Sequence, residues 1–253
     1  MSEFAVAVVI PAAGRSTRFG LGDKVSQDVC GRPMLLRTVE IFARRDDVRA
    51  IVVAAPPDEI DAFRDRWGAQ LGFHGARIVP GGRVERWETV RNALEAVPAE
   101  CTHVAVHDAA RPAATDALVS RVFDAARVHD AVIPGDPVTS TLKRVSEETV
   151  EADASEAVAD LILGDFAADV RPRGRRVVGT VPRERLVAVQ TPQVFRADLL
   201  RRAYAQDGLE GATDDAMLVE RLGEPVIVVD GDPRNVKVTT AADLDLVRAI
   251  LRR

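Results

Sequence analysis

The sequence predicts an α/β fold built on a mostly parallel, twisted sheet with helices on both faces. Three observations predict it. Short apolar runs alternate with amphipathic stretches along most of the chain, the mark of repeated βαβ units. Several of these runs end in glycine-, proline- or aspartate-containing turns, as parallel strands do at the edge where such sheets bind ligands. One segment past the middle breaks the rhythm and reads as a protruding β-arm. The architecture is therefore Rossmann-like with an arm. Residues 1–253 are expected to form one domain, with the arm at 138–185.

Val6–Ile10 is apolar and bounded by turn residues, so it reads as a buried strand. It opens into Pro11-Ala12-Ala13-Gly14 and a small-residue loop that reaches Lys24 through Arg15, Ser16, Thr17 and Arg18. Pro33 suits the first turn of a helix running to Arg45, striped by Leu36, Val39 and Phe42. Strand Ile51–Ala55, helix Pro57–Leu71 and the short strand Ala76–Val79 follow. Pro80-Gly81-Gly82 leads to a helix over Arg83–Val97, whose apolar face carries Val84, Trp87 and Leu94. Strand His103–His107 runs into Asp108-Ala109-Ala110-Arg111-Pro112, and helix Thr115–Val128 leads to strand Ala131–Pro134.

In the arm, Thr141–Val145 and Arg176–Val181 read as two β segments. Between them lies an insert over residues 147–175, acidic at first and basic at its end, in which Ala157–Phe166 suits a short helix. The insert is expected to elaborate the arm rather than form a second catalytic domain. The βα pattern resumes with Leu186–Gln190 and the turn Thr191-Pro192-Gln193. Helices Asp198–Gln206 and Asp214–Leu222 follow, the second N-capped by Thr213. Val226–Val229 is a strand, Lys237 is flanked by two valines that read as strand residues, and Ala241–Leu251 is a closing helix.

Composition narrows the function. A formal net charge of −5 argues against a protein that coats nucleic acid. Cys30 and Cys101 are far apart and fit a reducing compartment better than a disulfide framework. No cysteine–histidine cluster suggests zinc, and no apolar run reaches the roughly 18 residues of a membrane span. The first residues lack a secretory leader pattern. A cytoplasmic protein with neither nucleic-acid nor membrane partner is expected.

Five polar clusters stand at strand ends. The opening loop is the first; it is neither a P-loop nor a Gly-x-Gly-x-x-Gly turn, but its small residues allow backbone N–H groups to approach an anion. The second is Gly81-Gly82 with Arg86 and Thr89, which share a helix face. The third is His107 to Pro112, where Asp108 suits a Mg²⁺–phosphate complex and Arg111 a second anion. His107 reads either as a general base or as a buried structural histidine. The fourth is Thr191-Pro192-Gln193 together with Thr213-Asp214-Asp215, and the fifth is Lys237. Taken singly, Arg86 reads better as a solvated helix arginine and Lys237 reads equally as an exposed strand lysine. Taken together, Arg15, Arg18, Lys24, Arg111, Lys237 and one aspartate suit a triphosphate with Mg²⁺ and a second phosphorylated substrate. No nucleophile with a base partner and no Gly-x-Ser-x-Gly elbow is present. That favours direct in-line transfer, driven by positioning and charge stabilisation.

These residues resemble a known family. PAAGRSTRFG followed by Lys24, GGRVERWETV, VHDAARP, QTPQVF, the Thr-Asp-Asp of GATDDAMLVE and NVKVT, in this order, are similar to the 2-C-methyl-D-erythritol 4-phosphate cytidylyltransferases of the non-mevalonate isoprenoid pathway. The resemblance implies transfer from CTP to that polyol phosphate, with Mg²⁺ held mainly by nucleotide phosphates. It implies that Pro11, Ala12, Ala13 and Gly14 contact the nucleotide, with Arg18 and Lys24 on the triphosphate. Gly82 and Thr89 then lie on the cytosine and ribose side, supported by Arg86. Asp108, beside Ala109, serves the metal region and the acceptor hydroxyls. Arg111, Thr141 and Thr191 line the acceptor site, Lys237 contacts the reacting phosphates, and Arg183 reaches across a homodimer formed by the arm. Three departures stand out. Asp23 replaces the usual proline before Lys24, which is expected to loosen that turn. Thr89 replaces serine, and the arm carries the insert. The nearest rival is a ribitol 5-phosphate cytidylyltransferase. A non-catalytic nucleotide-binding regulator on the same fold is the other alternative.

Overall fold

The computed structural model describes residues 4–14, 19, 23–151 and 173–252. Arg15 and Arg18, and the helix expected over residues 157–166, lie outside the described residues. The described chain forms two compact units, residues 1–136 with 189–253, and residues 137–188.

The larger unit is the predicted α/β body. Its strands begin with β1 (Val6–Pro11), β2 (Val48–Ala55), β3 (Ala76–Pro80), β4 (His103–Val106) and β5 (Ala131–Pro137). Its helices are α1 (Met34–Ala43), α2 (Ile60–Phe73), α3 (Arg86–Leu94) and α4 (Asp116–Ala126), then α5 (Ala197–Ala205), α6 (Asp215–Arg221) and α7 (Ala241–Leu251). Strands β6 (Leu142–Glu151) and β7 (Arg173–Val181) belong to the arm, β8 (Val187–Val189) lies at the junction, and β9 (Gln193–Arg196) and β10 (Ile227–Asp230) return to the body. The sheet path runs β10-β5-β9-β4-β1-β2-β3. β1 pairs parallel with β2 and β4, β2 with β3, and β10 with β5.

Side chains alternate across the sheet, as the pleat requires. Val6, Val8 and Ile10 of β1 face a core shared with Leu35, Val39 and Phe42 of α1, Trp67 and Leu71 of α2, and Leu118 and Val122 of α4. Ala7 and Val9 face the opposite core, with Val90 of α3, Leu199 and Leu200 of α5, and Leu218 of α6. Both faces are covered, so the strands read as unbroken apolar runs rather than alternating ones. A third, smaller cluster joins Phe19 and Val29 near the first loop to Ala110, Val238, and Leu244 and Val247 of α7.

Four expectations need correction. β9 stands between β4 and β5 and pairs antiparallel with both, where the sequence suggested only a turn leading to a helix. The third helix begins at Arg86, not Arg83. Glu85 caps it, and the Glu88 carboxylate accepts the Val84 and Glu85 N–H groups at 3.0 and 3.2 Å, so those residues stay out of the helix. The N-cap of α6 is Asp214, whose carboxylate accepts the Met217 N–H at 3.0 Å, not Thr213. Residues 235–239 form no strand. They are an extended strap held by the Val238 N–H donating to the Ala110 carbonyl at 2.9 Å.

The smaller unit is an antiparallel hairpin of β6 and β7, from Leu142 opposite Val181 to Glu151 opposite Arg173. It is longer than the two predicted segments, so residues 147–151 and 173–175 of the expected insert simply continue its strands. The register shifts between Val145 and Thr149. There Ser146 donates to the Glu148 carbonyl at 2.9 Å and accepts the Arg176 N–H at 3.2 Å. Within this unit Thr141 is exposed, and exposed Arg183 donates to the Thr139 carbonyl.

Candidate active site

β1, β3 and β4 are parallel, so their carboxyl ends share one edge, and the loops that follow them form the walls of one cleft. Its volume is about 370 Å³. Pro11, Ala12, Ala13 and Gly14 come from the β1 loop with Lys24; Gly82, Arg86 and Thr89 come from the β3 loop and α3; Asp108 and Ala109 follow β4; Lys237 comes from the strap. A second pocket of about 280 Å³ shares Arg86, Asp108 and Lys237 and adds Arg111, Gln190, Thr191, Gln193, Thr213 and Asp214. The antiparallel sense of β9 explains how Thr191 arrives there. Val106 at the end of β4 pairs with Gln193 at the start of β9, so the loop before β9 stands beside the loop after β4. Thr141 and Arg183 belong to the smaller unit, and Arg18 lies outside the described residues.

The glycines of the second cluster are required by close packing. A Cβ on Gly82 would stand 2.3 Å from the Glu88 Cβ and 2.8 Å from the Thr89 N, and one on Gly81 2.8 Å from the Ala13 Cβ. The Thr89 hydroxyl accepts the Gly82 N–H at 3.0 Å, so this buried threonine ties the loop to the helix. Asp23, where the described chain resumes after the first loop, is also tethered. The Asp23 carboxylate accepts the Val25 N–H at 3.2 Å and meets Arg66 at 3.3 Å, and its carbonyl accepts from Ser26 and Gln27 at 2.9 and 3.1 Å. Asp23 therefore does not leave the Lys24 turn loose, as its departure from proline suggested. Side-chain hydrogen bonds replace the proline ring as the stiffening element.

Electrostatically the centre is Asp108. Its Oδ2 lies 2.9 Å from Lys237 Nζ and 3.4 Å from Arg111 Nε, and its Oδ1 lies 3.7 Å from Arg86 Nε. Burial alone would raise this carboxyl's pKa. The cations of Arg86, Lys237 and Arg111 outweigh it and hold the carboxyl well below the usual carboxylate range. Asp108 is thus an anion at any working pH, and it gathers three cations around one point on the cleft wall.

Arg86 is fixed from behind. Its Nη2 meets Asp215 Oδ2 at 2.8 Å, and Tyr204 donates its hydroxyl to Asp215 Oδ1 at 2.5 Å. Asp215 has no exposed surface. Burial opposes the charge on Arg86, but Asp215 first and Asp108 second more than offset it and raise its pKa. Burial next to Asp215 pushes the Tyr204 phenol well above its ordinary value. Sequence reading singled out Asp215 only as part of a polar run, and Tyr204 not at all.

The strap that carries Lys237 is held by a second buried network. Gln190 donates to Asp136 at 2.5 Å and to the Asp232 carbonyl at 3.0 Å. Asn235 donates to Gln190 Oε1 at 3.1 Å and to the Thr191 carbonyl at 2.8 Å, while Arg111 Nη1 donates to the Asn235 carbonyl at 2.7 Å. Lys237 itself remains 43% exposed, so it can turn from Asp108 to an arriving anion. His107 is fully buried, and burial lowers its pKa to about 4. It is neutral at pH 7 and points away from solvent, which removes the general-base reading.

Comparison with known proteins gives the same direction. A family model described as "IspD: 2-C-methyl-D-erythritol 4-phosphate cytidylyltransferase" matches residues 6–159 and 151–253. A 2-C-methyl-D-erythritol 4-phosphate cytidylyltransferase of Frankia casuarinae is 43% identical, over 98% of this chain and 82% of its own. One of Symbiobacterium thermophilum is 41% identical, over 97% and 92%. The crystal structure of the enzyme of that name from Thermus thermophilus superposes with a TM-score of 0.71 at 34% identity, covering 98% of this chain and 100% of that one. On this match across nearly its whole length, the chain belongs to the 2-C-methyl-D-erythritol 4-phosphate cytidylyltransferase family.

Proposed function

We propose that the protein transfers a cytidylyl group from CTP to 2-C-methyl-D-erythritol 4-phosphate, giving 4-diphosphocytidyl-2-C-methyl-D-erythritol and pyrophosphate. The observation that carries this is the pairing of a nucleotide-sized cleft with a second pocket across a shared Arg86–Asp108–Lys237 wall. CTP occupies the first, its base and ribose toward Gly82 and Thr89 and its phosphates toward Ala12–Gly14 and Lys24, with Arg18 completing that end. The acceptor occupies the second, against Asp108, Arg111 and Thr191; Thr141 and Arg183 of the arm are assigned to acceptor binding on the family resemblance alone.

The acceptor's phosphate oxygen is already anionic. It attacks the α-phosphorus of CTP directly, and pyrophosphate leaves in line. No base is needed, in keeping with a neutral, buried His107. Lys24 and Lys237 supply charge where the five-coordinate phosphorus develops it, each worth on the order of 3 kcal/mol in such sites. A divalent cation such as Mg²⁺ belongs to this reading. Among the described residues no cluster of three or more carboxylate, histidine or cysteine side chains exists to cage one. One carboxylate plus substrate phosphates is, however, the common magnesium arrangement. Asp108 Oδ1 fits it, since its 3.7 Å approach to Arg86 is too long for a direct hydrogen bond. Bound there, the ion would offset triphosphate charge.

A homodimer through the arm goes with this reading, supported by the exposed Val145, Val150, Val177 and Val178 on the hairpin. A cytoplasmic setting is supported by two free thiols, Cys30 and Cys101. Among the described residues no helix is long and apolar enough to cross a membrane. The family match favours methylerythritol phosphate over ribitol 5-phosphate as acceptor. The presence of Lys24, Asp108 and Lys237 on one cleft counts against a non-catalytic regulator. The test is to incubate the protein with CTP, Mg²⁺ and each polyol phosphate and to follow pyrophosphate release. Release with methylerythritol phosphate is expected. Release only with ribitol phosphate, or with neither, would refute the reading.

A further inference from the structure

His107 takes no part in the chemistry above, yet it touches two segments of the acceptor half of the site, the turn that carries Arg111 and the loop that carries Thr191. Its Nε2 lies 3.1 Å from the Arg111 carbonyl oxygen and its Nδ1 lies 3.2 Å from the Thr191 hydroxyl. The ring has no exposed surface and packs edge-on against Phe42, with centroids 5.0 Å apart. Carbonyl oxygens can only accept; the Thr191 carbonyl also faces the ring but already takes the Asn235 amide at 2.8 Å, so the Arg111 carbonyl claims the ring proton and Nε2 carries it. In a neutral imidazole Nδ1 is then an acceptor, and the only hydrogen at hand is that of the Thr191 hydroxyl. Thr191 Oγ1 in turn accepts the Asp108 N–H at 3.1 Å. Its hydrogen and one lone pair are therefore both committed inside the protein, and a single lone pair remains.

From this directional chain we infer that His107 is a positioning residue for acceptor recognition, which locks the Asp108–Arg111 turn to Thr191 and leaves Thr191 able only to accept a hydrogen bond from the acceptor. The inference rests on the proposed function for the identity of the acceptor. Its chemical consequence is selective. Thr191 recognises a hydroxyl of the polyol, which donates, and does not recognise the phosphate, whose oxygens need a donor. The phosphate is left to cations. Arg111 serves here in two ways. Its carbonyl receives the His107 proton, and its guanidinium, through Nε, faces Asp108 at 3.4 Å. A shift of the imidazole would move both.

The experiment has a spectroscopic and a kinetic arm. Long-range ¹⁵N–¹H correlation of the histidine rings in the whole wild-type protein should show His107 protonated at Nε2. Protonation at Nδ1 overturns the inference, whatever the protein catalyses. In the kinetic arm, Thr191→Val should raise the KM for methylerythritol phosphate by about tenfold or more, the usual consequence of leaving a polar partner unpaired. Thr191→Ser should restore it, and the KM for CTP should not move. His107→Gln, which keeps an N–H for the Arg111 carbonyl but carries its acceptor oxygen away from the Nδ1 position, should show the same split in milder form. Equal rises in both KM values, or a Thr191→Val protein with unaltered acceptor KM, would overturn the inference. A wild-type protein that releases no pyrophosphate with any polyol phosphate would instead overturn the proposed function, while the tautomer measurement still decides the hydrogen-bond chain.

Discussion

Replacing Asp215 by alanine is the most demanding test of how the cationic wall is held. The carboxylate is without exposed surface and accepts from Arg86 at 2.8 Å and from Tyr204 at 2.5 Å. Removing one partner of a buried ion pair costs about 3–5 kcal/mol, because the other charge is left uncompensated. Here the lower end applies. The Arg86 side chain keeps 28% of its surface exposed and retains Asp108 at 3.7 Å, so solvent and a second anion recover part of the loss. We expect Asp215→Ala to lose about 3 kcal/mol in urea unfolding at pH 7.5 and to raise the KM for CTP, since Arg86 lines that cleft. Tyr204→Phe, which leaves one carboxylate oxygen unpaired, should cost about 1–2 kcal/mol. Made together, the two changes should cost little more than Asp215→Ala alone, because the phenol has nothing left to bond. Full additivity in that double-mutant cycle, or a loss from Asp215→Ala below about 1 kcal/mol, would refute the reasoning.

Other predictions are briefer. Lys24→Ala and Lys237→Ala should each lower kcat by a factor on the order of 10² while circular dichroism shows an intact fold; near-normal turnover would remove them from the mechanism. Gly82→Ala should weaken CTP binding in calorimetry, since its Cβ would meet the Thr89 N at 2.8 Å, with a stability cost of about 1–3 kcal/mol. His107 titrates near 6.5 when unfolded and near 4 when folded. A depressed folded value means the unfolded chain binds the proton first, so its contribution is whole above pH 6.5 and is lost as pH falls toward 4. At about 1.4 kcal/mol per unit this amounts to about 3 kcal/mol. Denaturation midpoints between pH 7.5 and 4.5 should fall in the wild type more than in His107→Gln.

The regular part of the fold was legible because each βα unit writes its period into the chain locally. Val6–Ile10 and its loop, or Thr115 capping α4 with its hydroxyl on the Leu118 N–H at 3.3 Å, need no distant information. β9 was not legible. Gln193–Arg196 is four residues with two apolar ones, and it earns its place by pairing on both sides, which no short window reveals. The site shows the same division. Strand-end glycines, Asp108 and Lys237 announce themselves by position and residue type. The supports do not. Arg86 and Asp215 are separated by 129 residues, and Gln190 and Asn235 by 45. Nothing near Tyr204 marks it as the partner of a buried carboxylate. Asp23 was misread for a related reason, since its effect depends on Arg66, 43 residues on.

The small cluster around α7 has a consequence for synthesis as the chain emerges. Phe19 beside the first loop, Ala110 beside Asp108 and Val238 beside Lys237 share one apolar patch with Leu244 and Val247. The β1 loop leaves the ribosome long before its packing partner exists. Domains tend to fold from the N-terminal side as they emerge, so most of the sheet can be in place while this patch is still open. That patch then closes last, when residues 238–247 arrive, and a nascent chain halted before them would hold a nearly finished sheet with the patch still exposed.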